Sequence, residues 1–295
     1  MTVSADPLPS WREVPAKHAI VEFIDAVTDP DAPHFVPERD RVAVFDNDGT
    51  LWTEQPVYAQ LVFAIDRAAE LGDPTSLEKL HAGGMAALIE LLALTHAGIT
   101  TDEFDALCRS WLASARHPRF GRPYPETVYQ PMLELLGVLD RNGFSCWIIS
   151  GGGTDFMRTW TADVYGLPPH RVIGSVGETE FRIGDSGPEL VKSAKVEVVN
   201  DGPKKPSSIH QHVGQRPILA AGNTDGDLAM LQWTAASPYR TLELVVHHTD
   251  AEREYAYDRD PILGSGTDQI LAAAADQKWT VIDMAADWAN VHSAG

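Results

Sequence analysis

Two carboxylates, Asp46 and Asp48, stand two residues apart directly after the short apolar run Val42–Phe45. The length of that run predicts a buried strand of a parallel sheet. Both carboxylates would then lie at the C-terminal edge of the strand, where open α/β sheets keep their sites. Because two acids this close repel each other, the pair indicates that a cation or a phosphoryl group uses it.

The chemistry that such a pair suits is phosphoryl transfer. One carboxylate can attack phosphorus and form an acyl phosphate, which divides one difficult displacement into two easier ones. The other can protonate the leaving oxygen and later take a proton from water. A hard cation such as Mg²⁺ would hold the acids and the phosphate oxygens together. The structural alternative is that Asp46 and Asp48 only cap the turn at the end of the strand.

A glycine-rich segment, Ser150–Gly153, follows a second apolar run, Phe144–Ile149. A serine hydroxyl and backbone N–H groups at the start of a helix can form an anion site. A plain strand–turn–helix connection is the alternative. The segment lacks the G-x-G-x-x-G spacing, so it gives little support to a dinucleotide site.

Two lysines precede a short predicted helix in the segment Asn200–Pro206. In an acidic protein, one lysine directed at a phosphate would balance its charge. We favour Lys205 over Lys204 because it stands directly before Pro206. Exposed surface lysines are the alternative.

The segment Gly222–Leu231 places Asn223, Asp225 and Asp227 at the end of a third predicted core strand. Helix capping, or a calcium-type loop, is the structural alternative. Combined with the first pair of acids, these side chains would complete an oxygen-rich Mg²⁺ site.

The remaining pattern describes the elements that must position these clusters. Core strands are predicted over residues 42–45, 144–149, 217–221, 241–246 and 279–282, and a β-hairpin over 172–199. Helices are predicted over residues 17–27, 126–141, 206–213, 228–233, 251–257 and 270–276. Residues 54–120 contain three helical patterns and no strand signal. The order predicts a parallel sheet with crossover helices and a separate helical unit.

In the order and placement of these clusters the sequence resembles the haloacid dehalogenase superfamily. The motifs are FDNDGT, IISGG, Lys205 and GNTDGD, and the helical insertion with the Ser-Gly-Gly motif is most similar to the phosphoserine-phosphatase-like branch. The resemblance implies an α/β fold with a Rossmann-like parallel-sheet core. It places the core in residues 1–52 and 121–295, with a helical cap domain, residues 53–120, inserted after the first core strand.

The resemblance also implies roles for individual residues. Asp46 would be the nucleophile, Asp48 the general acid and base, and Lys205 the cation that steadies the phosphoryl group. Ser150 would act with these three catalytic residues. Besides Lys205, the phosphate would be bound by Gly49, Thr50, Ser150, Gly151 and Gly152.

The metal expected from the resemblance is Mg²⁺, held by Asp46, Asp48, Asn223 and Asp227. The sequence departs from the family at Asn223, where an aspartate ligand is usual. Asparagine can ligate through its carbonyl oxygen but brings no charge. We expect Asn223 as ligand with Asp227 as its orienting partner, and the alternative is that Asp225 or Asp227 takes over.

The function expected is therefore a Mg²⁺-dependent phosphatase that hydrolyses a small phosphomonoester through an aspartyl-phosphate intermediate. A phosphomutase or other phosphotransferase would use the same residues, and a non-catalytic relative would leave them idle. A dehalogenase would lack a second acid such as Asp48. A dinucleotide-dependent oxidoreductase is disfavoured by the missing glycine pattern.

Two weaker features remain. The cap is opened by Trp52, Glu54, Gln55 and Tyr58, which could face the substrate or simply begin a helix. His247 and His248 follow a predicted strand, so at least one of them could lie at the active edge of the sheet, although a core or surface role is the simpler interpretation.

Composition bounds the possible partners. The 295 residues carry a formal net charge of −19, which argues against nucleic acid or an anionic membrane as partner. No apolar run reaches the roughly 18 residues of a membrane span, and the first residues do not form a secretory signal. Two cysteines form neither a disulfide framework nor a metal set, so a cytoplasmic location is expected. Oligomeric state and substrate identity leave no signal.

Overall fold

The computed structural model describes residues 6–185, 187–259 and 266–293. The described strands form a seven-stranded sheet in the order β4-β3-β2-β1-β5-β6-β7. Their bounds are β1 Val42–Phe45, β2 Ser145–Gly153, β3 Val172–Gly184, β4 Gly187–Val198, β5 Leu219–Gly222, β6 Leu242–His247 and β7 Thr280–Asp283. Neighbouring strands are parallel except β3 and β4, which form an antiparallel hairpin. The predicted strands and hairpin are thereby confirmed.

Helices connect and cover these strands. Their bounds are α1 Pro15–Thr28, α2 Ala59–Glu70, α3 Ser76–His96, α4 Thr101–Ser114, α5 Gln130–Arg141, α6 Thr154–Arg158, α7 Thr161–Tyr165, α8 Lys204–His212, α9 Leu228–Ala235, α10 Asp268–Gln277 and α11 Met284–Asp287. Of the helices predicted with bounds, α1, α8, α9 and α10 begin within two residues of the prediction. Helix α5 begins four residues later than predicted, after a 3₁₀ turn at Tyr124–Glu126.

The central strand β1 shows why the sheet needs helices on both faces. Ala43 and Phe45 belong to one buried cluster, which includes apolar side chains of α1 and α5. Val42 and Val44 belong to a second cluster, which includes side chains of α8, α9 and α10. Side chains alternate between the faces of a strand, so a continuous apolar run must be buried on both sides. The expected Rossmann-like α/β fold is confirmed.

The insertion after β1 holds α2, α3 and α4, in agreement with the helical pattern of the sequence. It is joined by the β3–β4 hairpin, because the Lys192 N–H donates to the Ile99 carbonyl and the Gly98 N–H donates to the Lys192 carbonyl, both at 2.9 Å. The wall above the sheet is therefore made of helices and hairpin together, whereas the sequence pattern pointed to residues 53–120 alone.

One predicted element is wrong: residues 251–257 do not form a helix. Asp250 Oδ1 accepts the N–H groups of Glu252 and Arg253, which fixes a turn. The chain then doubles back, and the Tyr257 N–H donates to the His248 carbonyl at 3.1 Å. This return brings Tyr257 to the C-terminal edge of the sheet.

Across the described residues, none of the helices combines the length and the apolar character that crossing a membrane requires.

Candidate active site

The ends of β1 and β5 bring Asp46, Lys205 and Asp227 together. Asp46 follows β1, and its N–H donates to the Ala221 carbonyl of the neighbouring strand β5 at 2.9 Å. Lys205 Nζ lies 2.7 Å from Asp46 Oδ1 and 2.5 Å from Asp227 Oδ1. All three residues are buried. Lys204 forms no ion pair with the described residues, so the lysine that the sequence favoured is the one in contact.

Burial and the mutual charges of Asp46, Lys205 and Asp227 together set their pKa values. Burial and the neighbouring Asp227 raise the pKa of Asp46 well above its usual value, while Lys205 opposes the shift. Burial alone would lower the pKa of Lys205, but the carboxylates of Asp227 and Asp46 outweigh it and raise that pKa. Lys205 therefore stays cationic, and an ionised Asp46 would be further favoured by a second positive charge.

Asp48 is held by a tryptophan that opens the cap. The indole N–H of Trp52 donates to Asp48 Oδ1 at 2.8 Å, and Trp52 stacks on Trp160 with centroids 4.2 Å apart. Burial raises the pKa of Asp48 despite this hydrogen bond. Its other oxygen, Oδ2, would lie 3.3 Å from a Cβ placed on Gly152. Asp48 therefore presents a carboxyl with an enhanced affinity for protons to the glycine-rich loop, as a general acid requires.

The glycine-rich loop is fixed by hydrogen bonds from three sides. Ser150 Oγ accepts the Gly152 N–H at 3.0 Å, so the hydroxyl hydrogen is not used in that contact. Asn200 Nδ2 donates to the Ser150 carbonyl at 3.0 Å. From the cap, Gln60 Oε1 accepts the Gly153 N–H at 2.6 Å, which ties α2 to the loop. No sequence signal marked Gln60 or Asn200 for these roles.

Gly49 and Thr50 shape the loop that follows β1 and holds Asp46 and Asp48 (the catalytic loop), whereas we expected them to contact phosphate. The Gly49 N–H donates to the Trp52 carbonyl, and its φ of +73° suits glycine. A Cβ on Gly49 would lie 2.0 Å from Asn223 Nδ2, so no larger residue fits. The Thr50 hydroxyl donates to Asn223 Oδ1 at 3.2 Å. Neither residue lines the cavity described below.

Asn223 is paired with a buried glutamate from the cap. Its Nδ2 donates to Glu54 Oε1 at 3.0 Å, and the Tyr257 hydroxyl donates to the same oxygen at 2.6 Å. Glu54 is 2% exposed. The negative charge that Asn223 lacks is thus present in the next side chain. The sequence offered Glu54 only as a helix-start residue that could face the substrate.

The other two candidates of the loop after β5, Asp227 and Asp225, form hydrogen bonds that fix the backbone. Asp227 Oδ2 accepts the N–H groups of Asn223 and Thr224, while Oδ1 binds Lys205. Asp225 Oδ1 accepts two N–H groups at the start of α10, those of Gln269 and Ile270. This geometry favours Asn223 as the side chain facing the site and Asp227 as its orienting partner.

A histidine beyond the recognised motifs supports the catalytic loop from behind. His248 Nε2 donates to the Gly49 carbonyl at 2.7 Å, and Tyr257 stacks on its ring with centroids 4.5 Å apart. His248 Nδ1 lies 3.5 Å from Glu254 Oε2, and both side chains are buried. His247 instead pairs with Asp258 at the surface. His248 therefore holds the Gly49 carbonyl at the edge of the sheet where Asp46 and Asp48 lie, which is the alternative that the sequence left open for one of the two histidines.

The charge of the site suits a divalent cation. Three carboxylates, Asp46, Asp48 and Glu54, line the same cavity, and Lys205 contacts Asp46 among them and is shared with Asp227. In the described part of the chain, no three His, Cys, Asp or Glu side chains converge as a ready metal cluster. A mixed oxygen set fits: the Asp46 carboxylate, the Asp48 carbonyl and the Asn223 amide oxygen, with Glu54 adding charge.

A cavity of about 260 Å³ opens from these residues toward the cap. Its catalytic end is lined by Asp46, Asp48, Ser150, Gly151, Gly152 and Lys205. Its other walls come from α2, α3, α4 and the hairpin. Asp46, Asp48, the glycine-rich loop and Lys205 therefore line one cavity.

Comparison with known families agrees with this arrangement. Residues 43–232 match the profile of the haloacid dehalogenase-like hydrolases. The match spans well over half of the chain, so the chain belongs to this family and is a hydrolase of the haloacid dehalogenase type. No curated protein sequence matches it significantly.

Two solved structures illustrate the likeness. The chain is similar to a conserved protein of unknown function from Anaerococcus prevotii, with a TM-score of 0.54 and 16% identity over 95% of this chain and 96% of that one. It is also similar to a phosphoserine phosphohydrolase-like protein from Francisella tularensis, with a TM-score of 0.43 and 17% identity over 70% and 88% of the two chains. The first likeness shows the shared fold.

Proposed function

We propose that this hydrolase is a Mg²⁺-dependent phosphatase that acts on a small phosphomonoester through an aspartyl-phosphate intermediate. The observation that carries the proposal is the contact of Lys205 with Asp46 in a cavity that Asp48 and Ser150 also line. A carboxylate beside a fixed cation, a second acid and an anion loop is the set that phosphoryl transfer needs.

The side chains divide the reaction between them. The Asp46 carboxylate attacks phosphorus, and the bond from phosphorus to the leaving oxygen breaks while Asp48 gives that oxygen its proton. Asp48 then takes a proton from water, whose oxygen attacks phosphorus and releases phosphate from Asp46. Ser150 and Lys205 bind the phosphoryl oxygens throughout. Trp52 keeps Asp48 directed at the loop.

Mg²⁺ would be held by Asp46, the Asp48 carbonyl and Asn223, with Glu54 supplying the charge that Asn223 lacks. When bound, it neutralises charge on the phosphoryl oxygens and favours the ionised form of Asp46. We propose that the protein is located in the cytoplasm, because its cysteines Cys108 and Cys146 are both buried and unpaired.

The test is hydrolysis of an aryl phosphate by the wild type and by Asp46→Asn, with Mg²⁺ and with chelator. We expect the wild type to need the metal and the variant to lose at least a thousandfold in kcat. Wild-type protein should also form a hydroxylamine-sensitive phosphoenzyme that the variant cannot form. Asp163→Asn, at an exposed acid outside the cavity, should behave like wild type. Equal rates for Asp46→Asn and wild type would contradict the mechanism.

A further inference from the structure

The wall that the cap and the hairpin contribute to the cavity is mainly apolar. Beyond Asp46 and Asp48, the cavity is lined by aliphatic and aromatic side chains of α2, α3, α4, the hairpin and the residue that follows it: Leu61, Leu88, Leu92, Phe104, Val176 and Val199. Leu61 and Phe104 are almost fully buried. With a volume of about 260 Å³, the cavity is slightly smaller than the roughly 300–1,000 Å³ of typical ligand sites. The group released with the phosphate must fit against these side chains.

The basic groups on this wall are already matched. Lys192 binds the Asp155 carboxylate and lies 4.6 Å from the centre of the Phe104 ring. Lys195 Nζ lies 3.3 Å from Glu178 Oε1. The buried lysine, Lys192, therefore already has a counter-ion, whereas Lys195, whose side chain is 77% exposed, keeps its charge in solvent.

The remaining basic side chain of the wall, His96, is uncharged at neutral pH. Burial lowers its pKa to about 3, with a smaller effect from Lys192. It packs on Phe104 with ring centroids 4.7 Å apart. The neutral ring offers no positive charge to an anionic group; its Nδ1 lies 2.7 Å from the Thr95 hydroxyl, and its buried Nε2 has no hydrogen-bond partner among the described residues.

We propose that the substrate is a phosphomonoester of an apolar, uncharged alcohol or phenol, with no second phosphate and no carboxylate. This proposal rests on the proposed phosphatase function and names its substrate class. Transfer of an apolar group from water to this wall is favourable. A carboxylate placed there would lose its hydration without gaining a counter-ion, which is costly.

The experiment compares primary alkyl phosphates, because their leaving groups are similar in intrinsic reactivity. In the wild type with Mg²⁺, we expect kcat/KM to rise roughly two- to fourfold per methylene from ethyl to hexyl phosphate. The ω-carboxylate analogue of hexyl phosphate and O-phosphoserine should be at least tenfold poorer than hexyl phosphate.

A positive charge placed on the wall should raise kcat/KM for the carboxylated analogue, which a misfolded variant could not do. Leu92→Lys should lower kcat/KM for hexyl phosphate at least tenfold and raise it for the carboxylated analogue, while ethyl phosphate changes little. The matched control is Leu94→Lys, on the same helix at a residue that is 45% exposed and outside the cavity. It should leave the whole series unchanged.

The outcomes separate the two proposals. Similar rates for hexyl phosphate and its carboxylated analogue, or no gain in Leu92→Lys, would overturn the substrate class and leave the phosphatase function standing. If no phosphomonoester is hydrolysed, the phosphatase function fails. Calorimetry with hexylphosphonate and its ω-carboxylate then tests the wall by itself: tighter binding of the apolar ligand supports an apolar-ligand site, and equal binding overturns it.

Discussion

Replacing Lys205 by methionine removes the cation shared by Asp46 and Asp227 and keeps a side chain of similar length. The three side chains are 2%, 10% and 1% exposed, so water replaces little of the lost interaction. The Nζ contacts of 2.7 and 2.5 Å are those of charge-assisted hydrogen bonds. The variant therefore leaves two carboxylates buried without their counter-ion.

Breaking a buried pair by removing one partner costs about 3–5 kcal/mol. In a chain of this size, the free energy of unfolding falls with urea concentration near the upper end of about 1–3 kcal/mol per M, so the unfolding midpoint should fall by roughly 1–2 M. Adding Asp227→Asn to Lys205→Met removes one of the stranded charges. The double variant should therefore be more stable than the sum of the single effects by about 1–3 kcal/mol.

The assay is equilibrium unfolding in urea, followed by circular dichroism, for both single variants and the double variant. Lys204→Met is the matched control on the same helix and should change the free energy of unfolding by less than about 0.5 kcal/mol. The argument that burial makes the contacts of Lys205 strong would be refuted if Lys205→Met lowered the free energy of unfolding by less than about 1 kcal/mol. Strict additivity of the two substitutions in the double variant would also refute it.

Two further predictions concern single carboxylates. Glu54→Gln should weaken Mg²⁺ binding about tenfold, measured by calorimetry. The double variant Glu54→Gln with Asn223→Asp should restore the affinity, because it returns the negative charge to the same hydrogen-bonded pair. An unchanged affinity in Glu54→Gln would exclude Glu54 from the metal site. Burial raises the pKa of Glu243 from its ordinary 4.5 to about 7, and its Oε1 lacks a hydrogen-bond partner. Between these two pH values the unfolded chain loses the proton while the folded chain keeps it, so the free energy of unfolding falls by about 1.4 kcal/mol per pH unit. Glu243→Gln should abolish that slope and be up to about 3 kcal/mol more stable than wild type at pH 8, while the exposed control Glu70→Gln keeps it; a persisting slope in Glu243→Gln would count against this origin.

Local sequence was sufficient where one element by itself decides the structure. The run Val42–Phe45 had to be buried on both faces, and this predicted a central parallel strand. The alternation of residues 172–199 predicted the hairpin. The helix expected over residues 251–257 failed because Asp250 and Arg253 fix a turn through contacts that spacing cannot express.

Within the site, the sequence indicated which residues carry the chemistry, and the fold decided how they divide it. Asn223, Asp225 and Asp227 were equivalent candidates in one loop. They separate because Asp225 faces the start of α10 and Asp227 faces Lys205. Gly49 and Thr50 were expected at the phosphate, but backbone geometry and Asn223 engage them.

The types and order of the acidic, glycine-rich and basic clusters were determined by the sequence alone, since each follows a strand that its own apolar residues define. Tertiary structure alone decided that Glu54 faces Asn223 and that His248 supports Gly49, which are 169 and 199 residues apart in the chain. It also brought the hairpin against the cap and gave the cavity its apolar wall. Contacts of this range depend on how separately folded elements pack, and no local pattern of spacing records that packing.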